Sequence, residues 1–501
     1  MNGSHCRRVY EQWFILVASK GLGQMIRRHA IIVGGGASGV LLAYQLLRLG
    51  RRAFRVTLIE QRPEVGRGLA YHTGNPDHLL NVRAANMSAL PEDPDHFWRW
   101  LSARDICRCA DRYCFVPRRV YGDYIAGLIR PLVSRGDDAD GLRILNSECV
   151  SIRENADGVV AELAGGAELA GDIAVLATGH DSRKIPAACY ADPWTPPSAA
   201  GIGKDGSVLI LGSGLTMVDY VLSLLRDGHT GPIVAMSRRG LMPKAHRRVP
   251  PLSIDELQVP FGASASQLLR WLRHLVDSHS AQGGNWRGVV DGLRPFTQRL
   301  WRELPIDSRR RFLEHARAWW DVHRHRMAPE VEFAISKAVE DRRLTLTAAK
   351  IVDISPNSAG AVVRYRRRGQ TALENLEVDA IVDCTGIVKD PTATGNPAVR
   401  SLFDQGLARI DPLHMGIEVA SDCAIVNRLG SPSRRLFAVG PLTRAAFWEI
   451  IAIPDIRNQC VQLAERMIGN ADRGSEAAFA PAVTTLRVPA AKRRAALVGH
   501  H

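Results

Sequence analysis

One order of elements occurs twice in this chain of 501 residues, and it constrains the fold more than any other feature. Each copy begins with a short apolar run that meets a glycine-rich turn, "IIVGGGASGVLLAYQLL" at 31–47 and "LILGSGLTMVDYVLSLL" at 209–225. A continuously apolar run predicts a buried strand of a parallel sheet, and the pattern after each turn predicts an amphipathic helix.

Each copy then continues through a hairpin pattern into a strand that ends in Thr-Gly. The first hairpin and strand occupy 158–180 and end in Thr178 and Gly179, and the second occupy 361–387 and end in "TG" at 385–386. This repeated order predicts an internal duplication of a dinucleotide-binding unit. The predicted fold class is α/β, with two Rossmann-like domains, β-hairpin crossovers and an inserted helical layer.

The first turn has the G-x-G-x-x-G spacing, with Gly34, Gly36 and Gly39 and with Ser38 at the start of the helix. The first glycine makes the tight turn, the second lets the backbone approach a pyrophosphate, and the third lets the helix pack on the strand. The next strand ends at Glu60, an acid that suits the free ribose of FAD. A glycine turn that only packs a helix is the alternative.

The second turn has Gly212, Ser213 and Gly214 but Met217 at the third glycine position, which indicates looser helix–strand packing. Its next strand ends not in an acid but in the residues that form "SRRG": Ser237, Arg238 and Arg239. Guanidinium groups bind a 2′-phosphate bidentately, so this site is predicted to prefer NADPH. The alternative is that both arginines only cover the surface of an arginine-rich chain.

Two unequal units of this kind resemble the flavoproteins with two dinucleotide-binding domains, which include N-hydroxylating and Baeyer–Villiger monooxygenases and pyridine nucleotide–disulfide reductases. In that family a late segment closes the FAD site, and 436–460 resembles it, with Gly440 at the predicted start of a helix. The family pattern is Gly-Asp, whereas Pro441 follows here. The acidic contact to the flavin ribityl chain is therefore not expected.

A narrower resemblance rests on "HLLNVRAANMSALPEDPDHFWRWL", "FVPRRVYGDYI", "WWDVHRHRMAPE" and "GPLTRAAFWEI". These segments are similar to bacterial FAD-NAD(P)-binding proteins related to flavin hydroxylases that act on urate or on an amino group. The resemblance covers about 25–465 and implies FAD and NADPH as cofactors. It also implies flavin-side positions in 72–90 and after Gly440, for which the candidates are Asn81, Asn86, Met87, Ser88, Trp448 and Glu449. Among these, Asn81, Met87, Trp448 and Glu449 are the candidates for catalytic residues. A turn-forming loop at 72–90 and a core position for Trp448 are the alternatives.

The resemblance predicts an NADPH-dependent flavin monooxygenase that hydroxylates a small polar metabolite with O2 through a peroxyflavin. Two alternatives stay open: a flavin oxidoreductase that passes electrons to a quinone or protein, and a non-catalytic redox sensor that binds nucleotide. The sequence does not specify the substrate or the oligomeric state.

Composition narrows the classes of partner. The net charge is +14, but only 8 of the 65 basic residues are lysine and no nucleic-acid motif accompanies them, so no nucleic-acid partner is predicted. No apolar stretch is long enough to span a bilayer, and nine cysteines fit a reduced, cytoplasmic protein. Cys109 and Cys114 have a C-x4-C spacing but are expected to be structural or incidental, and no metal site is predicted, since His323 and His325 lack a third ligand.

The expected domain organisation follows from these motifs. We expect a disordered extension at 1–24, an FAD domain at 25–205, an NADPH domain at 206–386 with a helical insertion at about 253–330, a return to the FAD domain at 387–469 and a flexible basic tail at 470–501.

Overall fold

The computed structural model describes residues 27–50, 53–104, 106, 109, 111–133, 141–180, 189–386 and 394–472. The predicted extension at 1–24 and residues 473–501 of the predicted tail lie outside these ranges. Among the helices that fall inside them, none combines the length and apolar character needed to cross a membrane.

Sixteen strands are described, and they form three sheets. Those before the second glycine turn are Arg28–Val33 (β1), Phe54–Glu60 (β2), Leu142–Asn146 (β3), Cys149–Glu154 (β4), Val159–Leu163 (β5), Glu168–Gly171 (β6), Ile173–Leu176 (β7) and Tyr190–Ala191 (β8). Those that follow are Val208–Leu211 (β9), Ile233–Ser237 (β10), Leu344–Pro356 (β11), Ala361–Arg367 (β12), Glu374–Val378 (β13), Ala380–Asp383 (β14), Ala424–Val426 (β15) and Pro432–Ala438 (β16).

Twelve α-helices accompany them in the described ranges. The first six are Ala37–Leu49 (α1), His96–Ser102 (α2), Arg118–Ile129 (α3), Leu215–Arg226 (α4), Ala265–Ala281 (α5) and Trp286–Gly292 (α6). The others are Thr297–Glu303 (α7), Ile306–Arg311 (α8), Arg317–Arg324 (α9), Pro329–Glu340 (α10), Pro397–Asp404 (α11) and Ile453–Asp472 (α12).

The two large sheets have the same arrangement around their glycine turns. In the first, with the order β15-β16-β7-β1-β2-β3, β1 lies between the parallel strands β2 and β7. In the second, with the order β13-β12-β11-β10-β9-β14-β8, β9 lies between β10 and β14. Each turn therefore leaves a central strand at a topological switch point, where doubly wound sheets bind ligands. The predicted α/β fold class is confirmed.

The hairpins predicted for both copies are confirmed. Strands β5 and β6 pair antiparallel next to β4, and β12 and β13 pair antiparallel beside β11. In each copy a buried strand follows directly, β7 in the first and β14 in the second. Strand β8 lies within the range expected for the FAD domain but pairs with β14, so the chain enters the second sheet before residue 205.

Two local features differ from expectation. Gly440 begins a 3₁₀ turn, Gly440–Thr443, and the following helix α12 starts only at Ile453. Cys109 and Cys114 form a disulfide, with Cα atoms 5.7 Å apart, whereas the expectation was a fully reduced chain. The two cysteines lie before α3 and are five residues apart in the sequence.

The insertion at 253–330 is helical, as predicted, and joins the two halves of the molecule. Its helix α5 buries no residue and forms the outer layer. On helix α7 of the insertion, the indole of Trp301 donates a hydrogen bond of 2.8 Å to the carbonyl of Ala445 in the closing segment of the first domain. Trp301 also stacks on Trp448, with ring centroids 4.4 Å apart. The second domain is thereby fixed to the chain that returns to the first.

The Gly39→Ala substitution tests the packing of the first turn. A Cβ at Gly39 would collide with the carbonyl oxygen of Gly34, so α1 must move away from β1. We expect a loss of about 1–3 kcal/mol of unfolding free energy, measured by urea denaturation, and weaker FAD retention.

The matched control is Gly127→Ala in α3, where a Cβ meets no atom within 4 Å. Because alanine favours a helix over glycine, this variant should be as stable as the parent protein or more so. Equal destabilisation by both substitutions would contradict the assigned role of Gly39.

Candidate functional site

The two glycine turns approach the neighbouring strand in the same way. Gly34 has a φ of 107° and Gly212 a φ of 101°, a left-handed conformation that favours glycine. A Cβ on Gly34 would lie 2.5 Å from the carbonyl oxygen of Ala177, and one on Gly212 would lie 2.6 Å from that of Cys384. In both copies this carbonyl belongs to the residue before Thr-Gly. Each turn therefore presents the N-terminus of a helix beside a Thr-Gly strand end, an arrangement suited to a phosphate.

The acid of the first copy is held against its turn. Glu60 accepts a hydrogen bond of 2.6 Å from the backbone N–H of Gly35 with one carboxylate oxygen and one of 2.9 Å from Arg62 N–H with the other. An ionised carboxylate has about four acceptor positions, so two remain for ribose hydroxyls. Glu60 is thus held beside the turn, and its contact with a ribose stays a prediction.

The closing segment reaches the same turn. Gly440 has a φ of 72°, and the hydroxyl of Ser38 leaves no room for a side chain on it. The backbone N–H of Gly440 donates to the amide oxygen of Gln459 on α12 over 2.7 Å. Ser38 and Gly440 are therefore brought together, as predicted for residues of one site, and their contact with FAD stays a prediction.

A second glycine loop covers the first turn, and the sequence analysis missed it. Gly66 donates a hydrogen bond of 2.7 Å to the carbonyl of Gly35, and the Cα of Gly68 lies 3.5 Å from the position of a Cβ on Gly36. Both have positive φ, 97° and 50°. The signal available in the sequence was "GRG" at 66–68, a glycine pair shortly after the acid that ends β2.

At the second turn the two predicted serines contact each other, but the two predicted arginines do not join them. Ser213 donates a hydrogen bond of 2.8 Å to Ser237, which itself accepts one of 3.0 Å from the N–H of Gly240. Arg238 is exposed, whereas Arg239 donates to the carbonyl of His315 in the insertion over 2.9 Å. Their part in binding a 2′-phosphate stays a prediction.

The four catalytic candidates occupy different environments. Met87 is only 2% exposed and packs in the core of the first domain, and Trp448 packs in an aromatic cluster with Trp301. Glu449 is buried, has a φ of 63°, and lies in the closing segment. Asn81 is half-buried, and its carbonyl faces the second domain. The structure therefore leaves Asn81 and Glu449 as the polar candidates at the domain junction.

Both polar candidates contact the second domain. The carbonyl of Asn81 accepts a hydrogen bond of 3.0 Å from Nε2 of His246. The carboxylate of Glu449 accepts one of 2.6 Å from the indole of Trp320 and forms an ion pair of 2.9 Å with Arg324. The motif "HRHR" at 323–326 thus holds the closing segment, and within the described ranges no cluster of side chains suits a metal ion.

Two histidines are held uncharged at neutral pH. Burial is the largest cause and the nearby charge of Arg326 the second, and together they lower the pKa of His246 to about 3. Burial likewise lowers the pKa of His180 to about 4, with Arg444 as the second cause. His180 directly follows Thr178 and Gly179, so a neutral imidazole stands at the end of the first Thr-Gly strand.

The pKa of His246 predicts acid sensitivity. Below pH 6.5 the unfolded chain binds a proton at this histidine that the folded protein excludes until about pH 3, so stability is lost as the pH falls. Between pH 7.5 and pH 5 we expect the parent protein to lose about 2 kcal/mol more unfolding free energy than His246→Gln, measured by urea denaturation.

The control for this experiment is His274→Gln on the exposed side of α5. This variant should retain the pH dependence of the parent protein. If His246→Gln retains it as well, the burial of His246 does not produce the acid sensitivity.

Comparison with known proteins gives the same fold. Residues 31–181 match the sequence model of the FAD-NAD(P)-binding family. The reduced form of ornithine hydroxylase from Pseudomonas aeruginosa superposes with a TM-score of 0.60 at 13% identity, over 89% of this chain and 99% of that one. Curated protein sequences give no significant match.

Two further solved structures agree. The ornithine N-hydroxylase of Kutzneria sp. 744, with reduced FAD, NADP+ and L-ornithine, has a TM-score of 0.59 at 14% identity, over 90% of this chain and 100% of that one. L-lysine 6-monooxygenase from Pseudomonas syringae has a TM-score of 0.58 at 16% identity, over 89% of this chain and 100% of that one. At these identities the likeness shows the fold. Residues 31–181 therefore match the FAD-NAD(P)-binding family model, and the chain as a whole has the fold of these hydroxylases.

Proposed function

We propose that this protein is an FAD-dependent, NADPH-using monooxygenase that hydroxylates a small polar metabolite. The observation that carries the proposal is the asymmetry of two otherwise equivalent turns. At the first, the strand tip presents the carboxylate of Glu60; at the second, the strand ends in Ser237, and Arg238 and Arg239 follow it in the sequence. An acid favours a free ribose and arginines favour a 2′-phosphate, so FAD belongs to the first turn and NADPH to the second.

Solved structures support the reaction class, because three that share this fold are named as hydroxylases or monooxygenases, and one was solved with reduced FAD and NADP+. Bound FAD would supply the redox and oxygen chemistry, and the protein would supply position and shielding from water. The contacts of Trp301 with Ala445 and of Glu449 with Arg324 close the insertion over the domain junction. A closed junction limits the access of water to a reactive site.

Stopped-flow spectroscopy of the purified, FAD-loaded protein tests the reaction class. NADPH should bleach the flavin, and O2 consumption should then precede recovery of the oxidised flavin spectrum by a measurable delay. Immediate recovery together with fast electron transfer to a quinone would indicate an oxidoreductase with another acceptor. If neither nicotinamide cofactor bleaches the flavin, the protein is not an enzyme of this class.

Cofactor preference gives a separate test of the second turn. The double substitution Arg238→Ala/Arg239→Ala should raise the KM for NADPH by about tenfold or more, because charge-assisted hydrogen bonds to the 2′-phosphate are lost. The KM for NADH should change little. Steady-state flavin reduction with each cofactor provides both values.

The matched control is Arg366→Ala/Arg368→Ala, which removes two exposed arginines of the same domain. It should leave both KM values near those of the parent protein. Equal increases for NADPH and NADH in the Arg238/Arg239 variant would refute the assignment of the 2′-phosphate site.

A further inference from the structure

A buried guanidinium at the domain junction has donors that the protein does not satisfy. Arg326 is 2% exposed, and its Nη2 donates to the carboxylate of Asp291. Its Nε and Nη1 are also buried and have no hydrogen-bond partner within the described ranges. A buried polar group without a partner is costly, and more so when it is charged, so these two donors require an acceptor.

The backbone fixes Arg326 in this position. The next residue, Met327, donates to the carbonyl of Lys244 over 2.9 Å and accepts from the N–H of His246 over 2.9 Å. This parallel bridge pairs Met327 with Ala245 and ends the helical insertion against the strand-like segment 244–246. The main-chain hydrogen bonds of Met327 therefore fix the backbone next to Arg326.

A second buried arginine lies beside it. Arg287 is 8% exposed and donates through Nε to the carbonyl of Ala245 over 2.9 Å. Trp286 lies next to both guanidinium groups, with its ring centroid 4.3 Å from the central carbon of Arg287 and 5.9 Å from that of Arg326. Two cations share one aromatic ring, which offsets only part of their mutual repulsion.

Positive charge exceeds negative charge around this point. Arg83 and Arg324 also lie close enough to lower the pKa of Arg326, and burial is the largest cause of that shift. We call the four residues the Arg326 cluster: Arg83, Arg287, Arg324 and Arg326. The facing carboxylates are Asp291, Glu332, Glu449 and Asp455; Glu449 is already bonded by Trp320 and Arg324, and Asp455 pairs with Arg294, while Arg247 adds a further positive charge beside Arg287. The imidazole of His246 adds no charge at neutral pH.

The cluster lies against both parts of the first domain that are predicted to flank the flavin. Arg83 belongs to the segment that contains Asn81, and it donates to the carbonyl of Arg247 over 2.5 Å. On the other side, Arg324 pairs with Glu449 of the closing segment. An anion bound by the cluster would therefore lie between the two domains, where a substrate and a cofactor can meet.

We propose that the Arg326 cluster binds an oxyanion of the substrate, with Nε or Nη1 of Arg326 as a donor, so that the metabolite is an organic acid or a phosphate ester. Guanidinium groups match the geometry of carboxylate and phosphate oxygens. Naming this anion the substrate rests on the proposed function, whereas its binding to the cluster does not.

Isothermal titration calorimetry of the FAD-loaded protein tests the binding step at constant ionic strength. The probes are benzoate, succinate and inorganic phosphate, with benzamide as the neutral counterpart of benzoate. At least one anion should bind saturably, whereas benzamide should not bind. If the carboxylates bind more tightly than phosphate, the cluster recognises a carboxylate; the reverse order indicates a phosphate. If none of the three anions binds, the proposal is wrong.

Variants locate the site. Arg326→Gln should weaken binding of the anion about tenfold or more, since it removes a charged donor from a buried position. Arg326→Lys keeps the charge but not the planar fork, and should give an intermediate Kd. Arg409→Gln is the matched control, because it breaks another arginine–carboxylate pair, with Glu418, away from the cluster. An unchanged Kd in both Arg326 variants, each with bound FAD and an unaltered circular dichroism spectrum, would overturn the assignment.

Competition with NADP+ separates a substrate site from a cofactor site. The anion and NADP+ should bind together, and Arg326→Gln should leave the Kd for NADP+ unchanged. Displacement of the anion by NADP+, with equal weakening of both by the variant, would assign the cluster to the cofactor and refute the substrate inference. Because these titrations require no turnover, failure of NADPH to reduce the flavin would refute the proposed function without altering their outcome.

Discussion

The close contact between a glycine turn and a strand carbonyl is the constraint on which both nucleotide sites depend. Gly34 approaches the carbonyl of Ala177, and Gly212 approaches that of Cys384, at distances that exclude any side chain. This contact sets the start of each helix beside the Thr-Gly end of a neighbouring strand. The helix dipole and its free N–H groups then face the place where a phosphate would bind. We propose that the acid or the arginines after the next strand complete each site.

The helical insertion connects the two domains at the candidate site. It leaves the second domain after β10, contacts the closing segment through Trp301 and Trp320, and returns at Met327 beside segment 244–246. Arg294 and Arg324 add ion pairs with Asp455 and Glu449 of the first domain. Its last residues, "HRHR", place one arginine on Glu449 and bury another, Arg326, at the junction. Some of the many arginines of the chain are thus buried inside the molecule.

The fold followed from the sequence because its signals are local and repeated. Apolar runs, glycine spacing and hairpin patterns predicted strands β1, β2, β7, β9, β10 and β14 and helices α1 and α4 to within a few residues. The sequence was less informative where contacts are distant. Met87 was predicted to lie beside the flavin but packs in the core of the first domain. Ser213 and Ser237, which share a hydrogen bond, lie 24 residues apart in the sequence. The disulfide between Cys109 and Cys114 also depended on how one loop turns.

The sequence by itself determined the duplicated α/β plan and the chemical asymmetry of the two strand tips, because each rests on residue types at short, fixed spacing. Only the tertiary structure decided which polar groups converge at the junction. Asn81, His246, Arg326 and Glu449 come from four separate segments, and no spacing relates them. The burial of Arg326 and the lowered pKa of His246 likewise exist only in the folded chain, since both arise when the two domains and the insertion exclude water from the same space.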